Sequence, residues 1–205
     1  MALNKNFLLL VLFIQGCTYE KFSVRNEAEA AKYDPASMAR VRVFSSPEMI
    51  ASYYPASSCL DVGGVGSKKN IPLREYRDEE KYIFGRKADL LGMRAEDYKN
   101  TTIGIPLSET TEELMKDRSA YNEVVVPAGV SSVFSIFYSL RDEHVNSSCF
   151  PPRVSISPRA GADYEVRLVF ESKSWGQSWC RLSIKELIGD GAVKKTAEVN
   201  SEVCR

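Results

Sequence analysis

From residue 123 to residue 188 the chain is a succession of short apolar or alternating runs, each closed by turn residues. Few architectures other than stacked β-sheets accept that pattern. Residues 123–126 stop at Pro127-Ala128-Gly129, and residues 133–140 mix aromatic and β-branched side chains. Residues 153–157 form another run, closed by the turn 158–163. Residues 164–171 then alternate Tyr, Val, Leu and Phe with charged or polar neighbours, and after a loop at 172–178 the run 179–188 completes the series. Nearer the N-terminus, residues 39–43 (ARVRV) alternate like a strand with one buried face, and residues 82–84 before Gly85 suggest a second strand. Residues 47–58 are mixed, 61–70 read as a loop, and 89–100 fit neither template. Thr110-Thr111-Glu112-Glu113 has the form of a capping box and predicts a short helix to about Arg118. The expected fold is all-β, a disulfide-braced β-sandwich of transthyretin- or immunoglobulin-like kind with a short helical insertion.

Beyond Cys17 there are four cysteines, Cys59, Cys149, Cys180 and Cys204. An even number in an exported chain reads as disulfides, and four cysteines allow three pairings. Cys149–Cys180 is favoured, because in a three-strand meander the first and third strands run the same way and bring both cysteines to one end. Cys59–Cys204 would then fasten the C-terminal tail. In the loop-entropy account each bridge contributes about 4–5 kcal/mol. No pair has the C-x-x-C spacing of a zinc site, so no metal is expected.

The first residues, MALNKNFLLLVLFIQGC, place Lys5 before an apolar run at 7–14. That run is too short for a bilayer, which needs about 20 residues, but suits an export signal. It ends in Ile14-Gln15-Gly16-Cys17, which resembles the lipobox of bacterial lipoproteins, with Gln15 departing from the usual small residue. The resemblance implies diacylglycerol on the Cys17 thiol, cleavage after Gly16 and an acyl chain on the new amino group. Two or three such chains anchor firmly, at roughly 0.8 kcal/mol per buried methylene. Thr18, where enteric lipoproteins retained at the inner membrane carry aspartate, implies the outer membrane and a periplasm-facing protein. The expected organisation is a signal at 1–16, a lipidated tether at 17–37, a sandwich at 38–188 and a polar tail at 189–205, loose except at Cys204. Fully extended, twenty residues of tether reach about 65–70 Å.

Residues 39–44 (ARVRVF), 123–129 (EVVVPAG), 158–165 (PRAGADYE) and 180–187 (CRLSIKEL) resemble the strand-and-turn pattern of small, uncharacterised outer-membrane lipoproteins of Gram-negative bacteria. The likeness spans roughly residues 38–188 and does not include 90–121. It implies a fold and an address, not an activity.

Lysine plus arginine total 27 and aspartate plus glutamate 27, and losing Lys5 leaves the mature chain near −1. That balance speaks against a nucleic-acid partner and against polybasic attraction to headgroups. The single histidine, His144, sits in a polar loop without a Gly-x-Ser-x-Gly elbow to serve. Gly63-Gly64-Val65-Gly66-Ser67-Lys68 lacks phosphate-loop spacing. Acids at Asp78, Glu79, Glu80 and at Glu109, Glu112, Glu113 are where paired carboxylates could attack peptidoglycan, although acids beside Arg74, Arg77 and Lys81 usually form a solvated face. Aromatic residues on loops offer rigid contact area, so Tyr53, Tyr54 and Trp175 are the candidate partner-binding residues, with Trp179 expected in the core.

The function these features favour is a non-enzymatic binding or scaffolding lipoprotein, with an envelope protein or glycan as partner and no cofactor beyond its own lipid. The alternatives are a cell-wall hydrolase, an adaptor like the small lipidated sandwiches of type VI secretion, or a surface adhesin.

Overall fold

A computed structural model describes residues 22–46, 48–62, 71–74, 82–83, 86–87, 99–114, 119–141, 146–172 and 178–204. Cys17, expected to carry lipid, the stretch 63–68 expected as a loop, the acids Asp78, Glu79 and Glu80, and His144 and Trp175 lie outside these residues.

The chain enters through strand β1 (Phe22–Arg25) and the one-turn helix α1 (Glu27–Ala30), then forms β2 (Met38–Ser45) and β3 (Met49–Tyr54). Helix α2 (Cys59–Val62) and strand β4 (Ile71–Arg74) follow, with a small hairpin of β5 (Tyr82–Ile83) and β6 (Arg86–Lys87). Next come β7 (Lys99–Thr102), helix α3 (Glu109–Leu114), β8 (Ala120–Pro127), β9 (Ser132–Arg141) and β10 (Asn146–Cys149). The chain closes with β11 (Val154–Ile156), β12 (Asp163–Ser172), β13 (Ser178–Ile188), β14 (Lys195–Glu198) and β15 (Glu202–Val203).

Two sheets carry the body. The first has the order β1-β7-β8-β2-β12-β13-β14, and the second β15-β11-β9-β3-β4 with β10 also on β9. Alternation decides which side chains meet between them. Ala39, Val41 and Val43 of β2, Val124 and Val126 of β8, Tyr164, Val166 and Leu168 of β12, and Leu182 and Ile184 of β13 face inward. There they meet Ala51, Tyr53, Phe134, Ile136, Val154 and Ile156 of the second sheet. The result is an all-β, disulfide-braced sandwich, as the strand pattern predicts.

The first sheet is mixed. β2 pairs antiparallel with β8 but parallel with β12, and β1 and β7 pair in parallel. In the second sheet β10 and β11 lie one after the other along β9, divided by Phe150-Pro151-Pro152-Arg153. Proline cannot donate to a ladder, so the edge is broken there. Gly161 adopts a left-handed φ of +73° in the turn before β12, and a Cβ on it would stand 3.2 Å from the Pro35 carbonyl oxygen.

Both expected disulfides are present. Cys149–Cys180 joins Cα atoms 6.2 Å apart and Cys59–Cys204 joins Cα atoms 5.0 Å apart. The meander argument for the first is corrected: Cys149 ends β10 of one sheet and Cys180 begins β13 of the other, so the bridge spans the sandwich.

Three boundaries also change. The stretch expected as tether is part of the body from Phe22 on: β1 pairs with β7, and Asn26 caps α1 through the Glu29 N–H. The tail beyond 188 is not loose, since β14 pairs with β13 and β15 with β11. Residues 49–54, read as mixed, form β3 in the middle of the second sheet.

Candidate functional site

On the outer face of the first sheet three charged side chains stand in a row. Arg42 of β2 is directly opposite Glu123 of β8 and Glu165 of β12. Alternation turns them away from the core, yet none is exposed by more than 2 %. Their cover is the segment from Ile103 through α3.

Arg42 donates from Nη2 to Glu123 Oε1 at 2.6 Å and from Nε to the same oxygen at 3.0 Å. Its Nη1 reaches Thr111 Oγ1 at 2.6 Å and Glu165 Oε1 at 3.0 Å, and Nη2 also reaches the Ile105 carbonyl at 2.7 Å. The guanidinium lies 4.7 Å from the Tyr121 ring centroid. The other oxygen of Glu123 accepts three successive backbone N–H groups, from Ile103, Gly104 and Ile105, at 2.7, 3.0 and 3.1 Å. Gly104 has φ +104°, a conformation that L side chains rarely adopt. Glu165 Oε1 accepts from Ser108 at 2.6 Å and Thr111 at 2.7 Å, while its Oε2 has no hydrogen-bond partner among the described residues.

Buried charge is costly unless paired and hydrogen-bonded, and breaking such a pair costs more than the pair contributes. The cluster therefore works as a lock that binds segment 103–111 to the sheet. Ser108 also caps α3, accepting from the Thr111 N–H at 3.0 Å, so the cap lies two residues before the expected Thr110. A substrate cannot reach side chains this deeply covered. The expected acids Glu109, Glu112 and Glu113 are exposed on α3, away from this row of buried charge. Among the described residues, no group of three or more His, Cys, Asp or Glu side chains could hold a metal ion.

A second lock sits at the edge of β8. Glu29 of α1 is 9 % exposed and accepts from the Val125 N–H at 2.9 Å, filling a ladder position that β7 leaves open. Asp163 engages Arg40 through two bonds of 2.7 Å, and Arg40 also lies over the Tyr33 ring.

Tyr53 and Tyr54 are not available to a partner, which corrects their expected role; each is 5 % exposed. Tyr53 belongs to the main core. Tyr54, on the opposite face of β3, packs with Val62, Val133 and Cys204. Helix α2 and the tail, tied by Cys59–Cys204, supply that cover. Burial, with Glu29 contributing, pushes the Tyr53 hydroxyl up to about 12.

Trp179 is corrected in the other direction. Cys180, Leu182 and Ile184 turn inward, so alternation turns Trp179 outward, where it is 42 % exposed. Phe170, which pairs with Cys180 and shares its inward parity, and Phe150, just after β10, lie toward the same end of the sandwich and are 49 % and 67 % exposed. Phe170 meets Tyr138 edge-on at 5.2 Å between centroids, and Phe150 stacks on Phe137 at 5.4 Å. The Cys149–Cys180 bridge runs beside the Tyr138–Phe170 contact, since Cys149 pairs with Tyr138 and Cys180 with Phe170, and it holds the two sheets together there.

The sequence did not single out Arg42, Glu123 or Glu165. A signal was present: Arg42 stands between two valines, Glu123 and Glu165 each precede a valine, and the charges are complementary, but only the strand order reveals that they are neighbours. No protein-family model, curated protein or solved structure matches the chain.

Proposed function

We propose that the chain is a bacterial envelope lipoprotein, anchored through acyl chains on Cys17 at the periplasmic face of the outer membrane, whose body is a non-enzymatic binding or scaffolding module. The observation that carries this reading is the cysteine ledger. The sequence has five cysteines, two bridges use four of them, and the remaining one is Cys17 at the end of a lipobox-like signal. Bridges of this kind suit an oxidising compartment. No helix of the described residues is long and apolar enough to cross a membrane, which is compatible with anchoring by lipid.

The scaffolding part of the reading is supported by where the buried polar groups are spent. Arg42, Glu123 and Glu165 bond to the protein's own backbone and hydroxyls rather than lining a cleft. Mass spectrometry of the mature N-terminus tests the anchor: an acylated Cys17 is expected, and an unmodified or uncleaved N-terminus overturns it. Crosslinking in intact cells, with Cys17→Ser in parallel, tests the scaffold. A stoichiometric envelope partner lost with the lipid is expected; a wall-cleaving activity of the purified protein would overturn the non-enzymatic reading.

A further inference from the structure

The lock on the outer face of the first sheet reaches beyond the three strands that form it. Leaving β7, the chain gives the N–H groups of Ile103, Gly104 and Ile105 to Glu123 of β8, and the carbonyl of Ile105 to Arg42 of β2. Arg40, also of β2, donates to the Gly104 carbonyl at 3.0 Å. Ser108 and Thr111 then bond to Glu165 of β12. Ser108 also pairs in parallel with Lys194, directly before β14. There the Lys194 N–H donates to the Leu107 carbonyl at 2.8 Å, and the Glu109 N–H to the Lys194 carbonyl at 3.2 Å. The strand order is β8-β2-β12-β13-β14, so one short segment crosses the sheet to its far edge.

What holds this segment changes along its length. At its start Ile103 and Ile105 are buried with Val125, and Leu187 of β13 packs against them. From 106 to 114 no apolar side chain is fully buried; the buried side chains there are Ser108, Thr110 and Thr111. Ser108 Oγ and Thr111 Oγ1 lie 3.0 Å apart, and both bond to Glu165 Oε1. The second half is therefore fastened by hydrogen bonds rather than by apolar burial.

β14 has the complementary need. Its four residues are exposed or half-buried, which gives it little hold of its own. Its ladder with β13 begins at Lys195, opposite Ile188, and ends at Glu198, opposite Lys185. Beyond it the Val199 N–H donates to the Ile184 carbonyl at 3.0 Å. Lys194 lies before that ladder, and its N–H is held by the crossing segment instead. Groups joined in one hydrogen-bonded network open as a unit.

We infer that residues 103–111 are a strap that fastens β14 to the buried lock, so that the contacts of Ser108 and Thr111 with Glu165 set how readily the C-terminal strand opens at Lys194. The lock thereby governs a position two strands away from Glu165. The strand it fastens leads on to β15 and Cys204, so release of the strap frees the start of the tail while the Cys59–Cys204 bridge keeps its end.

The test is native-state hydrogen exchange on the full chain. The amides of Glu109, Thr111 and Lys194 are expected to exchange with one common opening free energy, below that of Val166 in the buried middle of β12. Thr111→Val replaces the hydroxyl by a methyl and should speed all three by about tenfold or more. Lys194→Pro removes the donor at the other end without touching the lock. Because coupling is reciprocal, it should speed Glu109 and Thr111 in the same way, and it carries the test if T111V does not fold. Lys194 exchange unchanged in T111V, or Thr111 exchange unchanged in K194P, overturns the strap. So does Lys194 exchange equal to that of Val166 in the unsubstituted chain, which would assign its protection to the body as a whole.

Discussion

Arg42 and Glu123 face each other across the β2–β8 ladder, with Nη2 and Oε1 2.6 Å apart and both side chains sealed from solvent. The two carboxylates around Arg42 are not equivalent. Glu123 uses both oxygens, one for the guanidinium and one for three backbone N–H groups. Glu165 uses one. Glu123→Gln must therefore turn an NH2 toward existing donors, whereas Glu165→Gln can keep its oxygen in place and point the NH2 toward the unpartnered position. The expected losses are about 3–5 kcal/mol for Glu123→Gln, as for a broken buried pair, and about 1 kcal/mol or less for Glu165→Gln. Urea unfolding of the two variants checks the order; equal losses would refute the asymmetry.

Glu29 is expected to matter through a single backbone group. Glu29→Ala leaves the Val125 N–H without its acceptor at a cost of about 1–3 kcal/mol. Amide exchange at Val125 should accelerate at least tenfold, with little change at Val126 deeper in the core. Unchanged protection at Val125 would mean that another group holds it.

The two bridges should be unequal. Cys59–Cys204 closes 145 residues and Cys149–Cys180 closes 31, which in the chain-entropy account correspond to about 5 and about 4 kcal/mol. Paired Cys→Ala replacements compared by thermal unfolding should show the larger loss for the 59–204 pair. That variant alone should also make Tyr54 reactive to a tyrosine-modifying reagent, because the cover over it is released.

Tyr53 predicts alkaline sensitivity. Its hydroxyl ionises near the ordinary value of 10 in the unfolded chain and near 12 in the folded one, so the unfolded state loses the proton first. Its contribution is intact below pH 10 and is lost as pH rises toward 12, an effect of about 2–3 kcal/mol. Tyr53→Phe should flatten that part of the stability–pH curve in urea titrations. An unchanged slope would locate the sensitivity elsewhere, for example at Tyr121, which burial also raises.

Two kinds of strand were legible in the sequence. β2, β12 and most of β13 alternate apolar with charged or polar residues, whereas β8 and β9 read as β-branched and aromatic runs closed by turn residues. β3 escaped because Ala51–Tyr54, buried on both faces, neither alternates nor carries a β-branched run. β14 and β15 escaped for the opposite reason: they are polar and largely exposed, held by pairing and a distant cysteine rather than by burial. The charged lock was legible only in part. Alternation says which side Arg42 takes, but the cover on that side comes from residues 103–111, more than sixty positions away. Trp179 could be placed only once the sheets were known: Cys180 turns inward to reach Cys149 across the sandwich, so its neighbour turns outward.

The tie between Cys59 and Cys204 also governs what a protease can accomplish. Any single cut between these residues leaves one fragment holding Cys59 and the other holding Cys204, still joined through sulfur. A nick in a surface loop of this span therefore sheds nothing, and both pieces stay connected to whatever holds the N-terminus. Release of the body requires either a reductant or cleavage upstream of residue 59.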